Sequence, residues 1–293
     1  MELQKIIDLI DVVSIPKDAK ITQFKNKEDD EPYKVWRIDV DNTKYVLKEA
    51  KEREKEIYQS ILFKVKESVP TLYQIITIDE KTYLLMEYIE GDDLCKCNRA
   101  KLKNVLDALI SLQQKTWKIQ EIDQCEYSFE KSQVQRQNRG KYLNDTLLEE
   151  AYEKFLRVFQ SVPRTLCHDD LLPFNVISNN EKAVLIDWEC GGILPYPTSF
   201  VRLIAHTEEN ENALFYMSKS DKCYAIDYYY ENLLKKNGIS YIDWLDTLEY
   251  FLFYEYCEWV YVGNKYNVTD GEYFKKYLPI AKQQANKILS IKD

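Results

Sequence analysis

The sequence predicts an α+β fold in two parts, a small antiparallel sheet over residues 1–90 and a larger, mostly helical part over residues 91–293. Before residue 90, apolar and polar residues alternate in several short segments, a pattern typical of half-buried strands. After Leu94 the apolar spacing changes to three and four residues, which is typical of helices. The third observation is a hairpin pattern at residues 166–192, within the helical part, that carries acids and an amide.

The first part begins with a predicted amphipathic helix from Met1 to Val13. Five strands are predicted at Lys20–Lys25, Tyr33–Val40, Lys44–Glu49, Leu72–Ile78 and Thr82–Tyr88. A charged turn at residues 26–31 joins the first two strands. A charged helix over Lys51–Lys66 is predicted to connect the third strand to the fourth.

The second part contains three amphipathic patterns, which predict helices at Lys101–Trp117, Tyr142–Gln160 and Tyr241–Val262. In the last of these, Glu255 shares an apolar face with two tryptophans, and Glu258 lies at the edge of that face. A carboxylate inside an apolar face must be paired to be stable. The face therefore indicates a buried Arg or Lys partner, a helix fully surrounded by protein, or a pocket of acids and aromatic rings that binds a cationic amine.

Composition limits the class of protein. The chain has 293 residues, of which 45% are hydrophobic and 30% charged, as expected for a globular protein. We expect no membrane segment, because no apolar run could span a bilayer, and no signal peptide. The net charge of −9 disfavours nucleic acid and favours a cationic small molecule as partner. Seven scattered cysteines indicate reduced thiols and a cytoplasmic protein, which we expect to be a monomer or weak dimer.

Glycine is scarce, with seven residues in the chain, and the first of them is Gly91. Neither a Walker loop nor a dinucleotide-binding fingerprint can therefore lie in the first ninety residues. A classical P-loop kinase and a Rossmann oxidoreductase are poor candidates.

The strongest functional signal lies between Leu166 and Gly192. Asp170 is followed by Asn175, and Asp187 comes twelve residues after that amide. Two strands are predicted nearby, at Val176-Ile177 and Ala183–Ile186. Their hairpin would bring Asn175 and Asp187 to the same end, with Asp170 on the loop leading into it. Mg²⁺ prefers such oxygen ligands and is usually held by one or two protein groups plus substrate phosphates.

The segment His168–Asn175, HDDLLPFN, fits the H-x-D-L-x-x-x-N catalytic loop of protein kinases, and Asp187-Trp188-Glu189 stands where kinases carry D-F-G. From about Lys20 to Lys265, the chain resembles the aminoglycoside phosphotransferase and choline kinase branch of the protein-kinase-like superfamily. The resemblance implies a protein-kinase-like two-lobe fold, with a small antiparallel-sheet N-lobe, a mostly helical C-lobe and a boundary near residue 90.

The resemblance also implies the chemistry of the catalytic loop. It gives Asp170 the role of catalytic base, and it makes Asn175 and Asp187 the ligands of Mg²⁺. His168 is expected to hold the loop by hydrogen bonds rather than to act as a base.

On the nucleotide side, Lys48 matches the strand lysine that binds the phosphates of ATP or GTP. Its expected partner is Glu54, with Glu56 as the alternative. The hinge Glu87-Tyr88-Ile89 would bind the adenine edge through its backbone. The segment Pro195–Phe200 has no acid, although many relatives carry an aspartate there that anchors the catalytic loop.

Asp169 replaces the glycine usual before the base in aminoglycoside kinases, and we expect it to contact a cationic substrate together with Glu255 and Glu258. The first expectation is a small-molecule kinase that phosphorylates a hydroxyl of an amine-bearing substrate, as aminoglycoside phosphotransferases do in antibiotic resistance. A choline or ethanolamine kinase-like enzyme, which shares the D-L-L after the loop histidine, is the second. A non-catalytic nucleotide-binding pseudokinase is the third.

Overall fold

The computed structural model describes residues 2–25, 30–120, 129–179 and 181–291. Positions 26–29 of the predicted charged turn lie outside the described residues, as does Asn180 in the predicted hairpin turn.

Five antiparallel strands form the N-lobe sheet, in the order β1-β2-β3-β5-β4. They are β1 (Lys20–Lys25), β2 (Pro32–Val40), β3 (Thr43–Ala50), β4 (Leu72–Ile78) and β5 (Lys81–Glu87). All five predicted strands are confirmed. Between β4 and β5, Asp79 and Glu80 have positive φ values of 50° and 63°, as tight hairpin turns require.

Successive side chains of a strand point to opposite faces of the sheet, so the apolar residues of the N-lobe form two clusters. Leu47 and Leu85 pack with Ile6 of helix α1 (Glu2–Ile7) on one face of the sheet. Leu84 and Met86 face the other way and join the main core of the molecule. The observed α1 is shorter than the predicted helix from Met1 to Val13.

Helix α2 (Glu52–Ser60) connects β3 to β4 across one side of the cleft. The predicted extension of this helix to Lys66 is wrong. Ile61 leaves the helical region with φ −141°, and two short 3₁₀ turns follow at residues 62–64 and 66–68. Both turns lie against the core, where Leu62 and Val65 are buried.

The C-lobe is mostly helical. Its helices are α3 (Arg99–Lys115), α4 (Phe129–Gly140), α5 (Thr146–Ser161), α6 (Pro197–Ala205), α7 (Lys219–Tyr229), α8 (Tyr241–Lys265) and α9 (Glu272–Leu289). The helices predicted over residues 101–117, 142–160 and 241–262 are confirmed as α3, α5 and α8. The sequence did not indicate α4, because an arginine, Arg136, occupies its buried face instead of an apolar side chain. No helix in the described ranges is both long and apolar enough to cross a membrane.

Two small hairpins carry the catalytic segment. Strand β6 (Arg164–Cys167) pairs with β9 (Gly192–Pro195), and β7 (Val176–Ser178) pairs with β8 (Ala183–Leu185), which confirms the predicted hairpin. Gly91, between the lobes, lies so close to this hairpin that an added Cβ would be 2.6 Å from the carbonyl oxygen of Ser178. The connection between the lobes is therefore tied to the hairpin.

Candidate active site

A lysine held between two carboxylates lies in the cleft between the lobes. Lys48 lies on β3, and its Nζ is 2.7 Å from Oε2 of Glu54 on α2 and 2.7 Å from Oδ1 of Asp187 after β8. Because Leu47 points into the sheet core, Lys48 faces the cleft. The structure thus brings together residues from a strand, a helix and a hairpin, and Glu54 rather than Glu56 meets the lysine.

Burial and charge act in opposite directions on these groups. Burial by itself would lower the pKa of Lys48, but the Glu54 and Asp187 carboxylates outweigh burial and raise that pKa. The ammonium group is therefore charged at neutral pH. Burial raises the pKa of Glu54, although the Lys48 ammonium opposes that rise. The backbone N–H of Trp188 also donates to Oε1 of Glu54, at 3.2 Å, which fixes its carboxylate.

Asn175 and Asp187 lie at the same end of the β7–β8 hairpin. The N–H of Ile186 donates to the Asn175 carbonyl at 2.9 Å, and Asn175 Nδ2 donates to the carbonyl oxygen of Asp170 at 2.7 Å. Since the amide nitrogen holds the loop, the amide oxygen is the atom left for a cation. The Asp187 side chain is 42% exposed and offers a second oxygen to a cation at this end of the hairpin. This donor set of oxygens fits Mg²⁺.

His168 holds the catalytic loop from within the protein. Its backbone N–H donates to Oγ of Ser199 at 2.8 Å, and its Nε2 lies 2.7 Å from the carbonyl oxygen of Ile186. Burial lowers the pKa of the His168 imidazole to about 4. The ring is thus neutral at pH 7, and Nε2–H donates to the Ile186 carbonyl. This environment suits a positioning role and not that of a base.

Ser199 provides the anchor for which the sequence offered no acid. It lies in α6, and its hydroxyl accepts the His168 N–H. Sequence reasoning searched this segment for an aspartate and overlooked the serine. The signal available was a small hydroxyl residue in an otherwise apolar helix, too common to identify an anchor.

Asp170 contacts an arginine that sequence reasoning also missed. Arg202 on α6 donates to Oδ1 of Asp170 from Nη2, at 2.8 Å, and from Nε, at 3.1 Å. Burial raises the pKa of Asp170 above its usual range, although the Arg202 guanidinium opposes this. The available signal was a lone cation within the apolar run Ser199–Ala205, because a buried arginine requires an acidic partner.

Glu255 on α8 is buried and is the second partner of Arg202. Arg202 Nη1 donates to Glu255 Oε2 at 2.9 Å, and the same oxygen lies 3.2 Å from Nε2 of His206. Although burial opposes it, these partners lower the pKa of Glu255 to about 2. His206 Nδ1 lies 3.0 Å from the hydroxyl of Tyr277 on α9, so the network extends to the last helix.

The other two acids expected to meet a substrate are paired as well. Asp169, whose φ is 58°, accepts from Nη2 of Arg136 at 2.5 Å, and Arg139 forms an ion pair with Glu258. Both arginines come from α4. Like Glu255, these carboxylates are therefore paired with arginine rather than open to a substrate amine. The physical reason is that a carboxylate in an apolar surrounding is stable only when neutralised.

The predicted hinge follows β5 directly. The N–H of Glu87 donates to the Thr71 carbonyl at 2.9 Å, and its carboxylate accepts from the Thr71 hydroxyl at 2.9 Å. The Glu87 N–H is thus used within the N-lobe, and an adenine contact by this residue would have to use its carbonyl group. Tyr88 and Ile89 are half-buried beside it.

A small sheet carrying a lysine and its glutamate, above a helical lobe with a loop aspartate and two oxygen ligands, defines the protein-kinase-like fold. The model of the phosphotransferase enzyme family, APH, matches residues 25–217, and the chain belongs to this family. The protein is a phosphotransferase that acts on a hydroxyl acceptor.

Solved structures agree on the fold. Choline kinase LicA from Streptococcus pneumoniae is 15% identical, with 97% of each chain covered and a TM-score of 0.56. Plasmodium vivax ethanolamine kinase Pv091845 is 15% identical, with 91% of this chain and 83% of that chain covered and a TM-score of 0.58. Aminoglycoside phosphotransferase APH(4)-Ia, in a ternary complex with AMP-PNP and hygromycin B, is 15% identical, with 92% and 93% covered and a TM-score of 0.56. No curated protein sequence matches the chain.

Proposed function

We propose that this protein transfers the γ-phosphoryl group of ATP, or of GTP, to a hydroxyl of a small amine-bearing molecule. The observation that carries this proposal is the position of Lys48, whose Nζ is 2.7 Å from both Glu54 and Asp187. A phosphate-binding lysine paired with its helix glutamate is one of the conditions for phosphoryl transfer in this fold. The arrangement also counts against the non-catalytic alternative.

Each residue has a distinct task in this reaction. Lys48, held by Glu54, binds the nucleotide phosphates. Asp170 orients the acceptor hydroxyl and takes its proton. Asn175 and Asp187 would hold Mg²⁺ through oxygen atoms, and the ion, when bound, would supply positive charge next to the phosphates. Positioning and charge stabilisation account for most of the catalysis in such sites.

An aminoglycoside or related aminocyclitol is the acceptor we propose first. Support comes from the family and from APH(4)-Ia, which was crystallised with hygromycin B. The three acids named from the sequence are paired with arginines, so an amine would have to exchange with one of them or be recognised by other groups. The acceptor is therefore a matter for direct assay.

A choline or ethanolamine acceptor is the second candidate, and aromatic side chains on α8 and α9 favour it. Trp259 stacks on Tyr273 at 4.3 Å, and its ring centroid is 6.2 Å from that of His206. Aromatic faces bind quaternary ammonium groups through cation–π contacts.

The experiment that tests the proposal measures ATP and GTP consumption with Mg²⁺ against a panel of aminoglycosides, choline and ethanolamine. Turnover with an amine-bearing acceptor is expected in the wild type, and Asp170→Ala should abolish it. The matched control is Asp270→Ala, which removes an exposed aspartate on the α8–α9 connection. A protein that binds no nucleotide, or an Asp170→Ala variant that keeps full turnover, would contradict the proposal.

We propose in addition that residues 1–90 act as the nucleotide-binding lobe and residues 91–293 as the lobe that carries the catalytic loop and the acceptor site. A cytoplasmic location and a monomeric or weakly dimeric state are proposed from composition alone. Gel filtration coupled to light scattering tests the oligomeric state.

A further inference from the structure

Arg202 joins the Asp170 carboxylate to a second acid, Glu255, by two ion pairs. Two of its nitrogens donate to one oxygen of Asp170, Oδ1, at 2.8 Å and 3.1 Å. Its third nitrogen donates to Glu255 at 2.9 Å. A guanidinium group presents its donors in a rigid fork, so both carboxylates are held in a defined relative position.

The two oxygens of Asp170 therefore have different surroundings. Oδ1 receives two charge-assisted hydrogen bonds from Arg202. Oδ2 lies 3.5 Å from Nδ2 of Asn175, the residue at the end of the metal-binding hairpin, which is too long for a strong bond. Of the two oxygens, Oδ2 is thus the one that has no short hydrogen bond to Arg202 or Asn175.

Glu255 makes this arrangement rigid. Its pKa of about 2 keeps it anionic, and it is buried between Arg202 and His206. An arginine shared by two carboxylates cannot rotate away from one without breaking a bond to the other. The Glu255–Arg202 pair is consequently a support for the Asp170 side chain as well as a stabilising contact between α6 and α8.

We propose that Arg202 is a positioning residue for phosphoryl transfer, which holds Asp170 by Oδ1 so that Oδ2 accepts the proton of the acceptor hydroxyl. This inference rests on the proposed function. In the step, the acceptor oxygen forms a bond to the γ-phosphorus and the bond from that phosphorus to the β,γ-bridging oxygen breaks. The bonding electron pair leaves with the nucleoside diphosphate, and the hydroxyl proton passes to Asp170 Oδ2.

The kinetic test compares Arg202→Gln/Glu255→Gln with Arg202→Lys and the wild type. The double variant removes both charges together, so that no buried glutamate is left unpaired. We expect it to lower kcat about 10- to 100-fold, a part of the effect usual for a positioned general base, while the KM for ATP changes less than about twofold. Lysine keeps the charge but not the fork, so Arg202→Lys should fall in between.

Arg99→Gln/Asp221→Asn is the matched control, because it removes an arginine–carboxylate pair of 2.5 Å that joins α3 to α7 away from the catalytic loop. It should leave kcat unchanged. If no acceptor in the panel reacts, the same comparison uses Mg²⁺-dependent transfer to water. Asp170→Asn separates the two hypotheses. If Asp170→Asn keeps full turnover, the proposed function fails. If only Asp170→Asn is impaired and Arg202→Gln/Glu255→Gln is not, the role of Arg202 fails.

A second measurement does not depend on activity. The urea midpoints of Asp170→Asn, Arg202→Gln and their combination, all in the Glu255→Gln background, form a double-mutant cycle. Direct contact predicts that the combined shift differs clearly from the sum of the single shifts. Additive shifts would overturn the proposal, whatever the kinetics.

Discussion

Two charge triads of the same design face the cleft, one on the nucleotide side and one on the acceptor side. In each, a buried glutamate holds a cation that reaches a more exposed aspartate on the catalytic hairpin or its loop. The first triad is Glu54–Lys48–Asp187, and the second is Glu255–Arg202–Asp170.

The cation makes the difference between the triads. A lysine is a flexible point charge that can exchange a carboxylate for a phosphate, whereas an arginine holds both carboxylates in a fixed fork. The pKa values of the two glutamates also differ. Burial raises the pKa of Glu54, but Arg202 and His206 bring the pKa of Glu255 down to about 2. The first triad is therefore suited to releasing its cation to a ligand, and the second to remaining intact.

Among the variants that compare the two triads, the largest effect is expected from Lys48→Met, which removes the cation that we propose binds the nucleotide. Loss of such a preorganised charge typically lowers kcat about 10²- to 10³-fold, and we expect kcat/KM to fall by that amount. Steady-state kinetics at varied ATP measures it. Lys51→Met, which removes the exposed partner of Glu189, is the control. If kcat/KM of Lys48→Met fell by less than about threefold, Lys48 would not be the cation that binds the nucleotide.

The second prediction concerns acid stability and Glu255. Because its folded pKa of about 2 lies below the ordinary value of 4.5, ionised Glu255 stabilises the fold above pH 4.5, and this contribution disappears as the pH falls toward 2. The difference amounts to about 3 kcal/mol. Denaturant unfolding of wild type and Glu255→Gln at pH 7, 4 and 3 measures it. The two proteins should differ most at pH 7 and converge at low pH, and a constant difference would contradict the assignment.

A third glutamate, Glu258, is paired with an arginine that, among the described residues, contacts no aspartate of the catalytic loop. It therefore shows what such a pair contributes to stability alone. Glu258 is half-buried, and its partner is Arg139. Arg139→Ala should reduce the free energy of unfolding by about 2 kcal/mol, because it leaves a largely buried carboxylate unpaired. Lys235→Ala, which breaks an exposed pair with Glu231, should have little effect on the free energy of unfolding, because water and salt screen such pairs. Equal losses in the two variants would mean that the Glu258 pair is only a surface contact.

The smallest effect is expected at Ser199, the residue that anchors the catalytic loop, and it concerns stability. Ser199→Ala leaves the buried His168 N–H without its acceptor and should cost about 1 kcal/mol. Thermal unfolding measures the change. Ser161→Ala, whose exposed hydroxyl binds the Val158 carbonyl, is the control and should be close to neutral. A Ser199→Ala variant as stable as this control would show that the loop has another anchor.

The nucleotide side was largely predictable from the sequence. Lys48 lies within a strand whose pattern could be recognised, and Asn175 and Asp187 lie next to the two strands of a hairpin whose spacing indicated that they would meet. Choosing Glu54 over Glu56 required the resemblance to a known family, since both are glutamates of one charged helix. The structure pairs Glu54 with the lysine.

The acceptor side was not predictable to the same degree. Arg136 lies 33 positions from Asp169, and Arg139 lies 119 positions from Glu258. No local pattern records such a pairing. The apolar face of α8 indicated that Glu255 needed either a cation or a ligand, and it could not distinguish between them.

The sequence by itself determined the order of these segments along the chain: the strand with Lys48, the acidic helix, the proposed hinge, the catalytic loop and the hairpin next to Asn175 and Asp187. Each segment is recognised by its local residue spacing, because the periodicity of strands and helices fixes which side chains share a face. Only the tertiary structure decided that Arg202 joins Asp170 to Glu255 and that Ser199 anchors the loop. The partners in both contacts come from separate elements, and the packing of α6 against α8 and the catalytic loop alone brings them within bonding distance.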